Sequence, residues 1–171
     1  LGLPIGSFYG LVADGFYQNE DFGADGRLLE GLPQNTFASV QPGDVKYRDL
    51  NNDGIIDNYD YRYQLKPLLP ELYYGFNLGL EWKGLGFNAL FQGVASARIE
   101  TSLASVYQPL YAGDKNISGH YLESYWTASD PQGRYPRLTT MDNANNYLDS
   151  NLWTENGAFF KFRELEIYYN L

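Results

Sequence analysis

The sequence predicts an all-β chain, and three observations carry that prediction. Aromatic residues make up 17% of the chain, with 16 tyrosines, while 18 glycines and 8 prolines accompany only 19% charged residues. That mixture favours strands and turns over helices. From Glu71 to Trp82, Leu72, Tyr74, Phe76, Leu78, Leu80 and Trp82 alternate with smaller or polar residues, the two-residue period of a strand. Four such segments are separated by one short turn and two very long connections.

In chain order, the first strand is expected at about 7–17, followed by a connection over 18–70. The second, at 71–82, matches the roughly 9 to 11 residues a tilted strand needs to cross a bilayer and exceeds the usual 5 to 6 of a globular strand. After a turn at Lys83 to Gly86, the alternation resumes over 87–98, so these two strands read as a hairpin. A second connection, 99–157, leads to the last strand at 158–170. Its rhythm falters around Phe159 to Phe162, which points to a bulge.

Alternation with one apolar face suits a sandwich as well as a membrane barrel. The connections favour the barrel, because compact domains rarely hold such long irregular segments, whereas outer-membrane barrels pair short periplasmic turns with long extracellular loops. On that expectation 18–70 and 99–157 lie outside, and Trp82 and Phe87 sit in the periplasmic aromatic girdle.

Several function classes are excluded or weakened. There is no cysteine, so no disulfide or thiolate metal site forms, and His120 is the sole imidazole. The net charge is -9 and no basic cluster appears, so a nucleic-acid partner lacks its electrostatic footprint. No run of about 18 apolar residues exists, which removes a transmembrane helix and leaves strands open. The sequence begins without a charged leader and stops inside a strand-like segment, so an internal piece of a longer chain is the expectation.

The sharpest local motif runs from Asp49 to Asp60. Asp49, Asn51, Asp53, Asp57 and Asp60 occupy positions 1, 3, 5, 9 and 12 of a twelve-residue loop, with Gly54 at 6 and the carbonyl of Ile55 at 7. That is the oxygen spacing of a calcium loop, although Pro42-Gly43 leaves no room for an entering helix. Two readings stay open: bound Ca2+, or a turn closed by Asp and Asn hydrogen bonds. The aromatics Tyr107, Tyr111, Tyr121, Tyr125, Trp126, Tyr135 and Trp153 form a second candidate group. Tyr107, Tyr111, Tyr125, Trp126 and Trp153 are the candidates for stacking on a substrate, with packing inside the loops as the alternative for each. An enzyme is not expected: no Ser-centred elbow or phosphate-cradling loop is present, and carboxylate pairs such as Glu123 and Asp130 arise by chance among 21 acidic residues.

In order, Gly6-Ser7-Phe8-Tyr9-Gly10, Asp14-Gly15-Phe16-Tyr17-Gln18-Asn19 and Pro42-Gly43-Asp44-Val45-Lys46-Tyr47-Arg48-Asp49 resemble the SusC/RagA family of TonB-linked outer-membrane proteins. Phe91-Gln92-Gly93, Tyr125-Trp126-Thr127, Arg134-Tyr135-Pro136-Arg137-Leu138 and Phe160-Lys161-Phe162-Arg163-Glu164-Leu165 continue the match across nearly the whole chain. The resemblance implies antiparallel strands from a large transmembrane β-barrel of roughly 22 strands with a plugged lumen, here the C-terminal part with its long extracellular loops. It further implies import of oligosaccharides or peptides, a SusD-like surface lipoprotein as partner, and energy from the TonB complex through a part of the protein outside this chain. Arg62 to Pro67 and Leu85-Gly86-Phe87 depart from the family pattern. The alternative from a different class is a secreted calcium-binding β-sandwich that binds glycans.

Overall fold

The computed structural model describes residues 8–65, 67–101, 109–110, 115–141 and 143–171. Their strands are β1 (Phe8–Gly10), β2 (Ala13–Phe16), β3 (Gln34–Asn35), β4 (Val45–Tyr47), β5 (Ile55–Ile56), β6 (Tyr63–Leu65), β7 (Leu72–Trp82), β8 (Leu85–Ala95), β9 (Arg98–Glu100), β10 (Thr154–Asn156) and β11 (Phe159–Tyr169). One α-helical turn, α1, spans Gly119–Leu122, and short 3-10 turns lie at Asn19–Asp21, Asn58–Asp60, Ala144–Tyr147 and Asn151–Trp153. The described residues form two units, one from 67–99 with 155–171, the other from 8–65 with 100–154.

The first unit is a three-stranded antiparallel sheet in the order β7-β8-β11, each strand 11 residues long. Lys83 and Gly84 both have positive φ, 49° and 84°, as a two-residue type I′ hairpin requires. The turn is therefore two residues long rather than the four expected, and Leu85 already lies opposite Trp82. A side chain at Gly84 would stand 2.6 Å from the carbonyl of Asn170, whose N–H donates to the Gly84 carbonyl at 2.7 Å. At the other end β8 stops at Ala95 instead of 98, because Ser96 turns to φ 52° and breaks the extended backbone.

The register of β11 on β8 shifts between Phe162 and Glu164, leaving Arg163 as the extra residue of a bulge. Side-chain direction in a strand has period two, so one extra residue exchanges the faces of all that follow. Phe160 and Phe162 lie at even positions and Leu165, Ile167 and Tyr169 at odd ones. The bulge brings all five to one face, opposite Gly93, Phe91, Ala89, Phe87 and Leu85.

The second unit corrects the first expected strand and both expected loops. Residues 7–17 are not one long strand: β1 pairs with β6, and β2 pairs with β4 through a register shift around Gly15, at φ 87°. Between them Leu11 is fully buried and bound to the 149–151 segment through its N–H and carbonyl. The segments 18–65 and 100–154 are likewise not irregular throughout. Leu11, Val45, Tyr47 and Ile56 form a core, with Phe16, Phe37, Tyr61, Leu148 and Leu152 packed against it. β3 and β5 add a short parallel ladder.

Candidate functional site

The long sheet has two chemically distinct faces. Phe76 lies opposite Phe91 and Phe91 opposite Phe162, so Leu72, Tyr74, Phe76, Leu78, Leu80 and Trp82 share a face with the apolar residues of β8 and β11. The rings form a mid-strand stack: Phe76 to Phe91 at 4.8 Å, Phe91 to Phe160 at 5.7 Å and Phe91 to Phe162 at 5.1 Å. At the turn end the Lys83 ammonium lies 4.8 Å from the Trp82 ring centre.

The opposite face carries Tyr73, Asn77, Glu81, Asn88, Gln92, Lys161, Glu164 and Glu166. There Asn88 donates to Glu166 at 3.0 Å and Arg163 to Gln92 at 2.9 Å.

No second layer among the described residues covers the apolar face. Leu80 is 70% exposed, Trp82 67% and Ile167 66%, and all 11 residues of β7 are exposed. Monomeric soluble proteins rarely tolerate so continuous an apolar surface. A strand of 11 residues at about 3.3 Å each, tilted by about 45°, reaches roughly 25 Å along the normal, the height of the apolar band of an outer-membrane barrel. Among the described residues no helix is long and apolar enough to cross a membrane.

The aspartate loop is closed by its own backbone. Asp49 accepts the N–H groups of Asn52 at 2.6 Å and Gly54 at 2.7 Å. Asn51 and Asp53 bond each other, and Asp53 also accepts the N–H of Ile55 at 2.9 Å. Asp57 caps Tyr59, and the fully buried Asp60 divides its oxygens between Leu50 and Asp57. Among the described residues no group of three or more His, Asp or Glu side chains is placed to hold a metal ion. The side-chain oxygens of Asp49, Asp53, Asp57 and Asp60 thus each accept a backbone N–H of the loop itself. Desolvation pushes the Asp49 carboxyl up, but four backbone amides, of Gly54, Asn52, Asp53 and Asn51, outweigh it and hold its pKa below the ordinary value.

Of the aromatic candidates, Tyr107 and Tyr111 lie outside the described residues. Tyr125 is half-buried. Trp126 and Trp153 are both buried, at 7% and 2% exposure. Trp153 donates to the Asn146 carbonyl at 2.7 Å and stacks on Tyr147 at 5.1 Å, while Trp126 donates to Gln18. Tyr121 stacks on Tyr135 at 4.4 Å. Burial pushes the phenols of Tyr47 and Tyr121 up, and those of Tyr17 and Tyr147 to about 12, so these groups act as neutral hydrogen-bonding partners.

Sequence reasoning missed the polar centre of this unit. Asp44, fully buried, accepts from Arg137 at 2.7 Å, Asn143 at 2.9 Å, Asn146 at 3.0 Å and the N–H of Gln41 at 2.8 Å. Asn146 and Asn145 in turn bond the N–H and carbonyl of Val45. The preceding residue, Gly43, has φ 86°, and a Cβ there would overlap the Trp126 ring. Asp44 and Arg137 both lie in the quoted motifs, but nothing in their spacing pairs residues 93 apart.

No family model matches the chain. Over 170 residues, 99% of its length, it is 25% identical to TonB-dependent receptor P3 of Formosa agariphila. Over 134 residues, 75% of its length, it is 28% identical to TonB-dependent receptor P26 of the same organism. The chain is similar to these two TonB-dependent receptors. It spans 15% and 13% of their length, and the all-β, largely antiparallel sheets of its described residues agree with a stretch of such a protein's barrel.

Proposed function

We propose that this chain supplies wall and outer loops to a SusC-type, TonB-dependent importer of oligosaccharides or peptides in the bacterial outer membrane. The observation that carries the reading is the bulge at Arg163. It aligns the apolar side chains of three strands on one face although their sequence parity differs. Such alignment serves a wall with hydrocarbon on one side and water on the other. A secreted sandwich would need a second sheet over that face. In this reading the turn at Lys83-Gly84 points to the periplasm, and the second unit forms part of the outer surface on which a SusD-like lipoprotein and the substrate dock. The TonB complex engages a part of the protein outside this chain.

Cysteines placed singly at residues 71–82 of the full-length protein, in outer membranes, test the facing. A water-soluble maleimide is expected to label odd positions and spare even ones. Equal labelling of both sets refutes the wall.

The aspartate loop in this reading is a stiff, metal-independent element, which reduces the entropy lost when a partner docks. Calcium and a chelator are expected to leave its amide exchange unchanged, and protection that rises with calcium counts against it. Acid is expected to loosen it. A carboxyl whose folded pKa is depressed contributes stability above its unfolded pKa, about 3.9 for Asp, and loses it as pH falls through the folded value. The protection of the Asn52 and Gly54 amides, taken relative to their intrinsic exchange rates, should therefore fall only below about pH 4.

A further inference from the structure

On the polar face of the sheet, two neighbouring rows form an open depression of about 430 Å³. One row places Tyr73, Val94 and Phe159 side by side; the next places Gly75, Gln92 and Lys161. Gly75 has no side chain, so the second row is open beside Tyr73. The bulge adds a second cation, since Arg163, the extra residue, donates to Gln92 Oε1 at 2.9 Å. That bond occupies the Gln92 acceptor and leaves its amide N–H groups to donate.

Lys161 lies with its ammonium 5.4 Å from the Phe159 ring centre. Neither Lys161 nor Arg163 has a carboxylate within ion-pair distance among the described residues. Further along β11 this face carries Glu164, one row on, and Glu166, which takes a hydrogen bond from Asn88. Two adjacent cations with no carboxylate at ion-pair distance among the described residues stand out in a chain of net charge -9. The depression therefore offers an aromatic and aliphatic floor, on which a sugar ring can lie, beside polar groups that all donate.

We infer that this depression is a subsite for an acidic sugar, its ring against Tyr73 and Val94 and its carboxylate or sulfate held by Lys161, Arg163 and the Gln92 amide. Arginine and lysine suit such oxyanions through charge-assisted hydrogen bonds. The inference rests on the reading that this face lines the barrel interior on the outer side of the plug, and it deepens that reading by naming the substrate class.

The test is calorimetry on the full-length protein in detergent. The probes are trigalacturonate, a sulfated galactose trisaccharide, neutral galactotriose and triglutamate. At least one acidic sugar is expected to bind more tightly than galactotriose, with affinity falling as salt rises. The arm that binds distinguishes carboxylate from sulfate. Lys161→Gln with Arg163→Gln should weaken that binding by about tenfold or more, leave galactotriose unaffected, and leave the folded band on unheated gels unchanged. Lys161→Arg should retain binding. No preference for acidic sugars, unchanged affinity in the double variant, or equal binding of triglutamate through the same two residues overturns the inference. Cysteines at 161 and 163 separate the two readings: labelled cysteines without acidic-sugar binding defeat the subsite alone, whereas unlabelled ones defeat the wall as well.

Discussion

Leu78→Arg should destabilise the full-length protein in lipid vesicles by about 2 to 4 kcal/mol, the cost of a cation near the bilayer midplane, while Asn77→Arg beside it should change stability by no more than about 0.5 kcal/mol. Leu78 lies near the middle of β7, on the face it shares with Phe76 and Phe91, and it is 54% exposed. Its neighbour lies opposite Leu90 on the polar face. The two substitutions introduce the same side chain one residue apart, so the difference reports facing rather than strand propensity. Urea titration of the folded protein in vesicles measures both. Equal costs would mean that hydrocarbon does not lie against the apolar face.

Asp44→Ala should cost the second unit about 3 to 5 kcal/mol, the penalty for removing one partner of a buried ion pair. The carboxylate is fully buried, and its loss strips an acceptor from Arg137, Asn143 and Asn146 together. The Arg137 side chain keeps 22% exposure, so water reaches part of the guanidinium and the effect belongs nearer the lower figure. Asp44→Asn, which keeps the shape and one carbonyl oxygen, should fall between. Combining Asp44→Ala with Arg137→Met should cost less than the sum of the two, because the second change removes the stranded charge. Loss of the near-ultraviolet signal of the stacked Tyr121, Tyr135, Tyr147 and Trp153 on heating follows each variant. A melting point for Asp44→Ala within a degree or two of the wild type would show that Asp44 does not hold the unit together.

Reading the long strands needed no tertiary information. A sheet with one apolar face leaves a period of two, and 11 residues are enough to see it. The bulge was legible in part, since the apolar phase changes from Phe160 and Phe162 to Leu165, Ile167 and Tyr169. Pairing with β8 placed the extra residue at Arg163 and, with it, a second cation beside Lys161. The segment 7–17 misled because its aromatics have strand character, while Gly15 and the buried Leu11 break it into two pieces with different partners. The burial of Trp126 and Trp153 was not legible for a related reason. An aromatic ring suits a binding surface and a core equally, and the residues that cover these two come from distant parts of the chain.

By itself, the sequence determined the all-β class, the hairpin, the apolar stripe and the oxygen-rich loop, because each depends on residues within about a dozen positions of one another. Tertiary structure alone decided which side chains share a face across three strands, that the aspartate oxygens meet backbone amides, and that Asp44 gathers Arg137, Asn143 and Asn146. Those outcomes depend on register and on contacts about 100 residues apart, which local propensity does not encode.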